Sequence, residues 1–145
     1  MNLEPIHQSR VSSFADAINA APPIATSTTF KAALFGPDGT QLGFMGEDSA
    51  GWAVLVAEAS KAITLESYPY NGVTYYRNVA TGKYLSVSNQ AYVGFYGWAG
   101  ATGWVVSGKK LISQFNQQAL SLYSKDNGYL YAWDKYTVLT VDFRG

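Results

Sequence analysis

Few residues in this chain have the chemistry for catalysis. Its 145 residues contain one histidine, His7, and no cysteine. His7 lies near the N-terminus beside no nucleophile motif, and no Gly-x-Ser-x-Gly elbow occurs anywhere. A Ser-His-Asp site would need the N-terminal stretch to fold back over the rest. One imidazole without a thiolate does not supply a zinc site. Carboxylates remain: Glu47, Asp48, Asp126 and Asp134 are the groups that could act as a hydrolytic acid and base pair. Each sits among turn residues, where Asp is expected for its backbone hydrogen bonding alone. Gly94, Gly97, Gly100 and Gly103 recur at every third position but open no visible helix, so they form no phosphate cradle. The expectation is a chain that is not an enzyme and needs neither metal nor cofactor.

Aromatic and amide residues are the better-supplied chemistry. Sugar recognition needs a flat ring against the C–H face of a pyranose, with fixed polar groups beside it for the hydroxyls. Two stretches offer both. In Asn89-Gln90-Ala91-Tyr92-Val93-Gly94-Phe95-Tyr96-Gly97-Trp98, strand alternation puts Tyr92, Tyr96 and Trp98 on the face opposite Val93 and Phe95. In Asp126-Asn127-Gly128-Tyr129-Leu130-Tyr131-Ala132-Trp133-Asp134, it puts Tyr129, Tyr131 and Trp133 opposite Leu130 and Ala132. With the aliphatic face as core, each Tyr/Trp face is exposed or half exposed. Tyr96, Trp98, Tyr131 and Trp133 are the expected stacking platforms. Asn89, Gln90, Asp126, Asn127 and Asp134 are the expected hydroxyl partners. Trp52 and Trp104 lie in runs of Val and Leu and read as core. The segment Gly97-Trp98-Ala99-Gly100-Ala101-Thr102-Gly103 reads as a flexible loop carrying an exposed Trp98.

Composition narrows the partner. Ten basic and ten acidic residues cancel, and charged residues make up only 14%. A nucleic-acid binder would carry a basic surplus or stripe, and none is visible. The partner is therefore expected to be neutral or weakly charged. No run of 18 apolar residues suggests a membrane span, and the N-terminus shows no secretory leader pattern, so the default expectation is cytoplasmic.

The elements that must position these residues are short strands. Residues 1–28 differ from the rest: a short helix is expected over residues 12–21, stopped by Pro22-Pro23, in an N-terminal arm that could serve as an oligomer contact. From Thr29 onward, period-two alternation is broken by turns such as Pro37-Asp38-Gly39, Asn71-Gly72, Ala80-Thr81-Gly82 and Asp126-Asn127-Gly128. About twelve strands are predicted, starting near Thr29, Gln41, Trp52, Ala62, Val73, Lys83, Tyr92, Trp104, Lys110, Ala119, Gly128 and Thr137. The domain division is thus 1–28 and 29–145.

The strand-turn-strand phrase around Phe35 to Leu42 recurs at Asn78 to Leu85 and Phe115 to Leu120. Phe95-Tyr96-Gly97-Trp98 and Leu130-Tyr131-Ala132-Trp133 then share the pattern apolar, Tyr, small, Trp, each Trp falling 13 positions after its repeat Leu. A hairpin-built unit of about 40 residues cannot bury its own apolar face, whereas three around one axis share a core.

The phrase Tyr76-Arg77-Asn78-Val79-Ala80-Thr81-Gly82-Lys83-Tyr84-Leu85-Ser86-Val87 resembles the unit opening of ricin-type lectins and fascin-like domains, members of the β-trefoil superfamily. Gly103-Trp104-Val105-Val106 is similar to a later strand of such a unit. The resemblance covers residues 29 to 143 and implies an all-β trefoil of three repeats that most often binds carbohydrate. The ricin-type Gln-x-Trp pattern is missing, since Ala50 and Thr102 precede Trp52 and Trp104 by two. The ricin-type sugar sites therefore do not carry over. The expected function is a lectin-like module for glycans or glycoproteins, without membrane insertion. Two alternatives stay open: a protease inhibitor using loop 98–102 or 68–72, and a receptor-targeting module of a toxin.

Overall fold

The computed structural model describes residues 29–145; the expected arm and its helix lie outside the described residues. The described chain is all-β, with two single 3-10 turns at Ala59–Lys61 and Trp98–Gly100. Its strands are β1 (Lys31–Phe35), β2 (Gln41–Glu47), β3 (Ala53–Val56), β4 (Leu65–Tyr70), β5 (Val73–Asn78), β6 (Tyr84–Val87) and β7 (Val93–Tyr96). There follow β8 (Trp104–Ser107), β9 (Lys110–Ser113), β10 (Leu120–Leu122), β11 (Leu130–Ala132), β12 (Thr137–Val138) and β13 (Thr140–Arg144).

Every predicted strand start lies within three residues of an observed one. The last predicted strand divides in two, for a physical reason. Thr137 and Val138 pair with β10, while Thr140 to Arg144 pair with β1. Between them the Leu139 N–H turns to the Leu120 carbonyl, and its side chain is fully buried.

All ladders are antiparallel, as hairpin connections require. Asn71 and Gly72 both take positive φ, the conformation a two-residue hairpin turn demands, and they close β4 onto β5. Six strands join into a closed circuit. β13 pairs with β1, β4 with β5, and β8 with β9. Single bridges Phe30↔Leu65 and Thr74↔Trp104 link these pairs, and the Val141 N–H reaches the Lys109 carbonyl at 2.8 Å to close the round. The remaining hairpins, β2–β3, β6–β7 and β10–β11, meet one another through the bridges Trp52↔Gly94, Val54↔Tyr129 and Tyr92↔Tyr131. At the first bridge a Cβ on Gly94 would sit 2.9 Å from the Trp52 ring, so the indole lies against bare backbone.

One core collects Leu34, Met45, Leu65, Leu85, Leu111, Leu120, Leu130 and Trp104, all sealed from solvent. The Trp104 indole N–H donates to the Leu85 carbonyl at 2.9 Å, which removes the cost of burying that polar atom. Trp104 is core as predicted, whereas Trp52 is only half buried, tilted over Tyr92. A second, smaller cluster joins Val73, Tyr75 and Ala101 to Tyr68, Tyr70, Tyr84 and Trp98.

Candidate ligand-binding site

The turn between β6 and β7 is Ser88-Asn89-Gln90-Ala91. The Ser88 N–H bonds to the Tyr92 carbonyl at 2.8 Å, and the Ala91 N–H to the Ser88 carbonyl at 3.0 Å. Ala91 takes a φ of 67°, a left-handed conformation that costs an alanine about 1 kcal/mol. It is held there because its carbonyl accepts the Ala132 N–H at 2.9 Å. That bond, with the Tyr92↔Tyr131 bridge, stitches the β6–β7 turn to the end of β11.

The stitched surface is the floor of an open cleft of about 450 Å³ lined by Asn89, Gln90, Ala91, Phe115, Asn116, Tyr131, Trp133 and Tyr136. Four of the residues expected to contact ligand therefore converge on one cleft: Asn89, Gln90, Tyr131 and Trp133. Asn89 and Gln90 are exposed, and among the described residues no hydrogen bond engages either amide. Trp133 is 37% exposed, its backbone N–H held by the Ser121 hydroxyl at 3.1 Å. The same hydroxyl donates to the Tyr131 carbonyl, so one buried serine fixes both residues.

Tyr131 departs from its expected exposure. It is only 7% exposed, because Leu130, Tyr131 and Ala132 are all covered and strand alternation does not decide burial here. Its ring lies between Tyr92, 4.7 Å away by centroids, and Tyr136, 5.0 Å away. Burial, with a hydrogen bond to Tyr92, pushes its phenol up to about 12, while a hydrogen bond from Asn127 works in the opposite direction. Tyr131 thus contributes a neutral hydroxyl to the cleft floor across the physiological pH range.

The other expected residues lie elsewhere or are already engaged. Trp98 does not ride a flexible loop. It opens a 3-10 turn and packs edge-on against Tyr75 (4.8 Å) and Tyr84 (5.5 Å), half buried. The residues after it, Ala101 and Thr102, are fully buried, and the Thr102 hydroxyl accepts the Val87 N–H at 3.0 Å. Tyr96 is half buried on the same side of the molecule, and burial raises its phenol above the ordinary value. Asp126 and Asn127 occupy the exposed β10–β11 turn, where the Asn127 side chain accepts the Tyr129 N–H. Asp134 is exposed at the end of β11, but one carboxylate oxygen accepts the Ala119 N–H at 2.8 Å. Asp48 likewise accepts the N–H groups of Ala50 and Trp52, and Glu47 accepts from the Asn78 amide at 2.8 Å. Asp48 thus closes its own turn, whereas Asp134 and Glu47 tie together segments distant in the chain.

Phe115, Asn116 and Tyr136 line the cleft without having been singled out. Asn116 had a readable signal, since it lies in the third recurring turn phrase. Its amide is spent inside the protein, donating to the Ala132 carbonyl and accepting the Gln118 N–H. Tyr136 had none beyond being a further tyrosine three positions after Trp133. Among the described residues, no group of His, Cys, Asp or Glu could hold a metal ion, and no helix is long and apolar enough to cross a membrane. No protein-family model matches the chain, and no curated protein matches its sequence.

Proposed function

We propose that this chain is a carbohydrate-binding module of β-trefoil architecture, taking a neutral glycan in the Trp133 cleft and performing no catalysis on it. The observation that carries the reading is the convergence of an exposed indole with two unspent amides, Asn89 and Gln90, brought from a hairpin more than forty positions away in the chain. A ring for the C–H face and amides for paired hydroxyls are what a pyranose requires, and the neutral surroundings favour an uncharged unit. Trefoil architecture is supported by the closed circuit of six strands, with three hairpins gathered against one another. The inhibitor alternative loses its first loop, because Ala101 and Thr102 are sealed within the fold. Its second, residues 68–72, remains as a hairpin end exposed at Asn71-Gly72.

A glycan array probed with the purified chain tests the reading. Retention of one or more neutral glycans, with a change in tryptophan emission when the same glycan is added in solution, is the expected result. An array blank at micromolar protein rejects it, and potent protease inhibition beside a blank array would install the inhibitor reading instead.

A further inference from the structure

Beside the Trp133 cleft lies a second open cleft of about 440 Å³, lined by residues that include Pro37, Asp38, Thr40, Tyr123, Ser124 and Lys125. The two share a ridge. Tyr123, from the first cleft's neighbour, meets Tyr136, from the first cleft itself, with ring centroids 4.9 Å apart and planes at 63°. Tyr123 is 62% exposed, more than any other large hydrophobic side chain among the described residues. Apart from its edge contact with Tyr136, most of this ring faces water and is open to a ligand. That ring contact joins the lining of one cleft to the lining of the other.

The second cleft carries polar groups of its own, and Asp38 has one carboxylate oxygen beyond the one that serves its turn. Asp38 accepts the Thr40 N–H at 3.0 Å, and hydrogen bonds from the Thr40 backbone and hydroxyl hold its carboxyl below the usual carboxylate range. Lys125 and Ser124 line the same cleft, the Ser124 hydroxyl also accepting the Asp126 N–H at 3.0 Å. A carboxylate and an ammonium lining one cleft give it balanced charge and a supply of donors and acceptors. That suits a polyhydroxyl unit better than an anionic or a purely apolar one.

We infer that the ligand is an oligosaccharide of at least two linked pyranose units, lying across the Tyr123–Tyr136 ridge with one unit in the Trp133 cleft and the next against Tyr123. This rests on the carbohydrate reading of the Trp133 cleft and extends it to a chain of sugars. A second subsite on the same rigid surface adds its contacts without a second loss of rotational and translational freedom, so a longer ligand gains affinity over its monomer.

The test compares monomer and chain by tryptophan-fluorescence titration of the purified 145-residue protein. The probes are N-acetylglucosamine against chitotetraose, glucose against cellotetraose and maltotetraose, and galactose against galactobiose. The expected result is at least tenfold tighter binding of one chain than of its monomer, with Tyr123→Ala removing most of that advantage while changing monomer affinity by less than about threefold. Asp38→Asn should remove a smaller part of it. Equal affinity of monomer and chain, or a Tyr123→Ala variant that keeps the full advantage, overturns the two-cleft ligand while the single-cleft reading stands. If none of these sugars binds the wild-type protein, the extension falls, and a blank array would take the underlying reading with it.

Discussion

Phe95-Tyr96-Gly97-Trp98 and Leu130-Tyr131-Ala132-Trp133 are spelled almost alike, yet the fold puts them to opposite uses. Both follow a fully buried leucine by the same interval, but strand pairing does not respect that interval. Leu85 pairs with Phe95, ten positions on, whereas Leu120 pairs with Ala132, twelve positions on. The β10–β11 connection therefore consumes two more residues than the β6–β7 turn. Trp133 is left at the end of its strand, beside an open cleft. Trp98 is carried two residues past the end of its strand into a 3-10 turn against Tyr75 and Tyr84. In a hairpin the loop, as much as the strand pattern, decides what an aromatic residue faces.

The sharpest way to separate the two is to delete each indole. Trp98→Ala removes a ring wedged between two tyrosines. It should cost about 3 kcal/mol of stability, or about 10 °C in Tm, as read by thermal denaturation. Glycan affinity per folded molecule should be unchanged. Trp133→Ala should do the reverse, weakening glycan binding about thirtyfold, or about 2 kcal/mol by titration, with stability within about 0.5 kcal/mol of wild type. Equal loss of stability in both variants would erase the distinction between the two indoles. Replacing Asn89 or Gln90 by Ala should weaken binding about fivefold each, or about 1 kcal/mol, with no change in Tm.

The smallest effect concerns pH. Burial pushes the phenols of Tyr76 and Tyr131 up to about 12. Each therefore holds its proton more tightly folded than unfolded, so its contribution to stability is complete below about pH 10 and lost as the pH climbs toward about 12. Near-ultraviolet titration should show a late-ionising group of tyrosines, diminished by one in Tyr131→Phe. Neutral and mildly acid conditions should leave both regions untouched.

Strand positions were legible because they depend on local alternation and on turn residues such as Asn71-Gly72, which the backbone obeyed at every predicted place. The cleft was legible in part. Asn89, Gln90 and Trp133 advertise themselves as polar and aromatic residues beside turns. The burial of Tyr131 could not be read from its own strand, because the atoms covering it belong to Tyr92 and Tyr136, one on another hairpin and one beyond the next turn. Nor could the packing of residues 98–102 be read from their glycine content. Three small residues suggested slack, yet the Thr102 hydroxyl is tied to the β6 backbone at Val87.

Ala91 is held in an awkward conformation by a bond from Ala132, next in the chain to the two amide residues that line the cleft. A rim anchored in this way is finished before any ligand arrives. Recognition would then proceed as docking onto a preset template, with the entropic toll of shaping the surface already settled during folding. It also means that the rim cannot readily remould itself around a differently shaped guest, so selectivity would be written into the resting molecule.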